Sequence, residues 1–470
     1  MIFQDSLFVL FFFIVFICYW LLGHKQQNVF LLVVSYAFYG YIDLKFLLLL
    51  TFQSIITFYL VAIFVKLSKT NKKLIFTLAI LFNIIVLGYF KYYNFFTENI
   101  NSLFNSFGIG TSLPVLHIIF PLGISFYTFQ NISYIVDVKK KVVKPCESII
   151  DYCLYIGFFP KLIAGPIERA SNLLHQIYEE RNIKFDQLVL GASFFLWGCF
   201  QKVVIADNLV MVSNKVFLLE NPDFFLLSAG AFSYTMQIFA DFSGYTDMAR
   251  GLALLLGFKL MANFNNPYFS RNPADFWRRW HISFSEWIRD YIYIPLGGSR
   301  VSKIRWAVNL FVAFFFTGLW HGASWNYIIW GLYYWALYLV YRLWGTICPE
   351  GIYNMKYNYI FSIFIMFIFT NIGWVIFRET NLQYLWQYIS VGFFNFNSKN
   401  FFPSVYLFLY VLSYSFPIIA FSTISFVFCS SDRNKIITSR KLQTVGVLLL
   451  FILVIMLHNP EGSQFIYFNF

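Results

Sequence analysis

Apolar stretches long enough to cross a bilayer recur along the whole of this chain, separated by short polar loops, and that pattern leaves few folds open. A helical crossing takes roughly 20 apolar residues. Such stretches run at about Leu7 to Leu22, Phe30 to Ile42, Phe46 to Val65, Leu74 to Phe90, Val115 to Val136, Leu188 to Val204, Phe224 to Phe239, Trp306 to Leu319, Tyr327 to Leu343, Tyr359 to Phe377, Phe402 to Phe428 and Val445 to Leu457. In lipid every backbone N–H and C=O must be satisfied within the chain, so these segments are read as helices of an all-α polytopic membrane protein, with roughly ten to twelve crossings. Some are short or interrupted, and Phe159-Pro-Lys-Leu-Ile-Ala-Gly-Pro166 suits a re-entrant or half helix better than a simple span. Hydrophobic residues make up 59% of the chain and charged residues 12%, whereas a soluble domain carries roughly a quarter of its residues charged. An integral membrane protein is the class that remains.

A net charge of +12 raises nucleic acid as a partner, but the distribution of the charge removes it. Lys and Arg collect in short loops at His24 to Lys25, Lys66 to Lys73, Lys139 to Lys144, Arg300 to Arg305 and Arg433 to Lys441, while Tyr92 to Leu116 has no Lys or Arg. This is the bias of cytoplasmic loops. It places Met1 and Phe470 both outside for an even number of spans. The first apolar segment lacks a basic start, follows Asp5 and leads directly into further spans, so it reads as an anchor rather than a cleaved signal. Cys18, Cys146, Cys153, Cys199, Cys348 and Cys429 are scattered without a CxxC pair, which is neither a metal nor a disulfide pattern. With no linker, repeat or polar stretch long enough for a soluble domain, one membrane domain over 1–470 is expected: N-terminal helices to 114, a motif-bearing core over 115–345, and C-terminal helices from 346.

Ionisable groups are expensive at membrane depth and mark function there. Between Asp275 and Trp325 they are dense. Arg278, His281, Ser285 and Arg289 fall at intervals of three or four, which predicts one polar stripe on a single helix. That helix is open to two readings, an interfacial amphipathic helix with snorkelling arginines or the lining of a cavity. Asp275, Glu286 and Asp290 favour internal ion pairs, because anionic headgroups would not select them. His321 lies in Gly318-Leu-Trp-His-Gly322, where a structural, hydrogen-bonded imidazole competes with a catalytic base. Its flanking glycines are read as room for a ligand. A third cluster, Gln237, Asp241, Ser243, Asp247 and Arg250, interrupts an apolar stretch. Gln237 and Asp241 share a helix face and Gly244 is expected to break that helix. Ion pairing and participation in a reaction both remain open for these acids. There is no Walker loop, GxGxxG, GxSxG or HExxH, so nucleotide-driven transport and serine or zinc hydrolysis lose their usual supports.

Pro121-Leu-Gly-Ile-Ser-Phe-Tyr-Thr-Phe-Gln130 with Ser133-Tyr-Ile-Val-Asp137, Phe159 to Ile167, Gln237 to Met248, Asn263 to Arg300, Gly318 to Trp325, Gly373-Trp-Val-Ile-Phe-Arg378 and Phe465-Ile-Tyr-Phe-Asn-Phe470 together resemble the signatures of the membrane-bound O-acyltransferase family, in its bacterial polysaccharide O-acetylation branch. The resemblance implies a ring of tilted helices around a thinned centre where a tunnel meets both faces. It implies a bacterial inner-membrane acyltransferase whose catalytic histidines are His321 and His281. Arg278, Arg279, Arg289 and Arg300 would suit the phosphates of a cytoplasmic acetyl-CoA donor. Trp320, Ser243 or Tyr293 would help position the acyl group, with Gln237, Asp241 and Asp290 in support. No bound cofactor or metal is expected. The partners implied are membrane lipids and an extracytoplasmic O-acetyltransferase. The resemblance extends to peptidoglycan and alginate O-acetylation and to D-alanyl export to teichoic acid; peptidoglycan is the favoured acceptor because the Phe-, Asn- and Lys-rich composition suggests an AT-rich genome rather than an alginate producer, with alginate, another exopolysaccharide and D-alanyl transfer as alternatives. A transporter using His281 and His321 as a proton relay, and a scaffold for the outer transferase, are the alternatives of other classes.

Overall fold

In the computed structural model each of these apolar stretches forms or lies within helix, with one exception at its start. The structure describes residues 3–116, 118–347, 356–428, 440–459 and 462–466, and no β-strand occurs among them. Five helical segments are long and apolar enough to cross a membrane: Leu44–Lys66, Asn71–Ser106, Phe185–Phe217, Tyr359–Arg378 and Ser398–Phe426. The chain is an all-α polytopic membrane protein. The basic loop from Arg433 falls largely, and Cys348, Cys429, His117 and the last four residues wholly, outside the described residues. The exception is the stretch from Val115, which becomes helical only at Ile124 because Pro121 lies upstream and Gly123 caps the helix with φ 75°. Proline and a left-handed glycine both stop a helix from extending backwards.

The chain divides into two compact units, residues 1–191 with 252–261 and residues 192–251 with 262–470. In the first, buried polar side chains tie three helices. Gln53 Nε2 donates to Asn83 Oδ1 at 2.7 Å and to Thr128 Oγ1 at 3.0 Å, and Asn83 Nδ2 donates to Thr57 Oγ1 at 3.0 Å. Such amide bonds act as glue between helices where burial alone gives little net drive. The expected half helix is a single turn, Phe159–Leu162, buried throughout. Its Lys161 donates to the Ile156 carbonyl at 3.0 Å and to Gln130 Oε1.

In the second unit the Phe224–Leu255 helix runs unbroken through Gly244, against expectation. Gly244 serves close packing instead: a Cβ there would lie 2.8 Å from the Gly198 carbonyl oxygen, and one on Gly198 would lie 2.5 Å from that of Gly244. Two glycines face to face let two backbones approach as no pair of larger residues could.

Candidate active site

His321 is the last residue of the Lys303–His321 helix and is 1% exposed. The next helix begins at Trp325, so the two form a tight hairpin. Gly318 makes the hairpin possible, since a Cβ there would meet the Tyr327 carbonyl oxygen at 2.2 Å, and one on Gly331 would meet that of Phe314 at 2.3 Å. Gly322 is likewise filled, by the Tyr327 ring at 2.3 Å. The space expected for a ligand beside these glycines is taken by protein, and their role is to seat the histidine.

His281 is reached differently. The predicted single stripe does not form, because the chain breaks between two short helices, Pro273–Arg279 and Ile282–Ile288, with His281 in the left-handed region at φ 43°. A non-glycine residue there costs about 1–3 kcal/mol and persists only where its surroundings hold it, often at functional sites. Here Asn263 holds it. Its carbonyl accepts from the Ile282 N–H at 2.9 Å and its Oδ1 from Ser283 Oγ at 2.6 Å, while the Asn265 N–H donates to the Arg279 carbonyl at 2.9 Å.

The two imidazoles share neighbours. Phe284 and Trp320 stack at 4.2 Å. The His281 ring lies 5.1 Å from Phe284 and 5.5 Å from Trp320, and the His321 ring 6.0 Å and 4.7 Å from the same two. Phe242 meets His281 edge-on at 4.8 Å, while Trp330 and Phe377 meet His321 at 4.9 Å and 5.1 Å. The structure therefore brings together His281, Trp320 and His321 in an aromatic box. Sequence reading missed the rest of the box, whose only local signal was aromatic abundance near the motifs.

The other expected residues sit elsewhere. Asp241, 1% exposed, lies 2.8 Å from Lys202 Nζ. Ser243 donates to Gln201, which in turn donates to Asp247 at 3.0 Å. Gln237 accepts from Ser213 at 2.5 Å. These three serve helix-to-helix bonds, and the helix reaches the box through Phe242. Half-buried Tyr293 lies near Ser299 and Trp306. The ion pairs expected for the acids are present: Arg279 with Asp275 at 2.9 Å, and Arg289 with Asp290 at 2.7 Å and Glu286 at 3.8 Å. Arg278, Arg289 and Arg300 are exposed. No group of three or more metal-ligating side chains occurs among the described residues.

The family model described as the membrane-bound O-acyltransferase family matches residues 30–386. The chain belongs to the membrane-bound O-acyltransferase family. A probable alginate O-acetylase of Pseudomonas aeruginosa is 40% identical to it over 393 residues, 82% of this chain and 74% of that relative. A peptidoglycan O-acetyltransferase of Helicobacter pylori is 32% identical over 522 aligned residues, 100% of this chain and 98% of the relative. A teichoic acid D-alanyltransferase of Bacillus subtilis is 30% identical over 288 residues, 56% of this chain and 70% of its own. The first two relatives match the polysaccharide O-acetylation branch that the motifs suggested.

For an O-acyltransferase the box has a clear chemical use. Apolar walls disfavour an imidazolium, and the neutral imidazole is the form that can accept a hydroxyl proton or donate an N–H to a developing oxyanion. They also exclude water, which would hydrolyse a thioester. Burial pushes His281 down from 6.5 to about 3. Below pH 6.5 the unfolded chain takes up a proton at this position that the folded one refuses, so the contribution to stability is complete above pH 6.5 and falls on acidification. Thermal unfolding at pH 8 and pH 5 should show a larger loss for wild type than for His281→Gln; equal losses would contradict it.

Proposed function

We propose that this acyltransferase moves an acetyl group from a cytoplasmic thioester, most simply acetyl-CoA, across the bacterial inner membrane to an extracytoplasmic partner transferase that O-acetylates peptidoglycan. The observation that carries the acceptor is the end-to-end match to the peptidoglycan O-acetyltransferase, 100% of this chain and 98% of the relative. A partner is invoked because the sequence offers no polar stretch long enough for an outer polysaccharide-binding domain. Alginate or another exopolysaccharide is the second reading, favoured by the higher identity, 40%, to the alginate relative.

In the proposed reaction His321 takes the proton of the acceptor hydroxyl as its oxygen attacks the thioester carbonyl. The tetrahedral intermediate collapses by breaking the C–S bond, and the His321 imidazolium returns the proton to the thiolate. His281, with Trp320, positions the acyl group or donates to the oxyanion. The exposed Arg278 and Arg300 suit the donor's phosphates better than Arg279 and Arg289, whose charges face carboxylates. A strain lacking its own O-acetyltransferases, given this chain and its partner, should gain alkali-labile acetate on purified peptidoglycan. Acetate found only on a secreted polysaccharide would move the acceptor to the second reading.

A further inference from the structure

A buried ion cluster that none of these roles uses is built on Asp241, the residue before Phe242 on the same helix. Lys202, Asp207 and Asp241 are 2%, 1% and 1% exposed. Lys202 Nζ lies 2.8 Å from a carboxylate oxygen of each acid. The remaining bonds of all three go to one short segment far along the chain. Lys202 also donates to the Ser463 carbonyl at 2.9 Å, Ser463 Oγ donates to Asp207 at 2.5 Å, and the Ile466 N–H donates to Asp241 at 2.7 Å. Just upstream, Asn459 Nδ2 donates to the Asp207 carbonyl at 2.9 Å.

Three charges removed from water are a costly way to hold a few residues of coil, since neutral hydrogen bonds or apolar contacts would tie it with less desolvation. What they hold explains the cost. Phe465 stacks on Tyr245 at 4.8 Å and lies 6.2 Å from Phe242, whose own ring meets His281. The chain of contacts runs from Lys202 through the pinned segment to Phe465, Phe242 and the histidine.

We propose that Lys202, Asp207 and Asp241 are positioning residues, an electrostatic latch that seats the 462–466 segment so that Phe465 braces the Phe242 wall of the histidine box. This rests on the reading of His281 and His321 as the reaction site. Displacing a wall by about an ångström can slow a reaction about 100-fold while substrate binding elsewhere is kept. Lys202→Met and Phe465→Ala should each lower kcat for acetyl transfer by roughly that factor, with the KM for acetyl-CoA nearly unchanged. The double variant should be no slower than either, because both remove the same support. Phe465→Leu should recover most of the rate, since it restores bulk.

Full kcat in Lys202→Met, or losses that multiply in the double variant, would overturn the latch. If Lys202→Met fails to accumulate, Lys202→Met with Asp207→Asn keeps the cluster's net charge and is read instead. His321→Ala measured alongside separates the two claims: transfer surviving there overturns the reaction site, whereas its loss beside an unaffected Lys202 variant overturns the latch alone.

Discussion

The His321→Ala protein is expected to insert and accumulate like wild type and to transfer no measurable acetyl group. A positioned general base contributes about 100- to 10,000-fold, and His281, which shares Phe284 and Trp320 with His321, is assigned the acyl-positioning role rather than that of the base. The His321 surroundings are aromatic rings, Trp320, Trp330, Phe377 and Phe284, so His321→Phe retains volume and packing while removing the base. Loss in both variants assigns the effect to chemistry. Recovery in His321→Phe would make the residue a packing element. His175→Ala is a control, since that histidine is exposed and pairs at the surface with Glu179 at 3.2 Å.

Gly318→Ala is expected to be nearly as damaging by a different route. One methyl group at 318 meets the Tyr327 carbonyl oxygen at 2.2 Å, and that atom belongs to the backbone of the facing helix, which cannot rotate aside. The Lys303–His321 and Trp325–Ile347 helices must separate, at about 3 kcal/mol, the upper part of the usual range for overpacking. His321 is the last residue of the first helix, beside the turn, so the base moves with the strain. Size-exclusion profiles in detergent should show less folded protein, and the folded fraction should have a reduced kcat. Gly88→Ala, where nothing lies within 4 Å of the added atom, should leave both unchanged. Equal behaviour of the two variants would remove the hairpin from the explanation.

What was legible in the sequence, and what was not, divides by range. Hydropathy is local, so the apolar stretches could be located, but not always their ends: the stretch read to Phe239 belongs to a helix that runs on to Leu255, because its polar second half is buried against protein. His321 stood out in its apolar setting. The break at His281 was not legible from spacing. Arg278, Ser285 and Arg289 keep helical intervals, and what overrides them is the bond set from Asn263, which lies outside the apparent stripe. Glycine carries the same ambiguity. Gly244 and Gly322 read as a helix breaker and as room for a ligand because the sequence cannot say which backbone or ring faces them, and in both cases one does. Lys202 was absorbed into an apolar stretch, although a lysine there calls for a carboxylate partner. Asp207, five positions on, was the available signal, and Asp241 and Ser463 could be joined to it only by the fold.

The most direct measurement uses purified protein in nanodiscs with acetyl-CoA labelled in the acetyl group, following thioester loss and the appearance of label on the outer partner. Wild type should consume the thioester and pass label to the partner, and His321→Ala should do neither. Consumption undiminished in His321→Ala, or label crossing the bilayer still attached to its original carrier in a manner that needs a proton gradient, would contradict general-base transfer at His321 and point to transport instead.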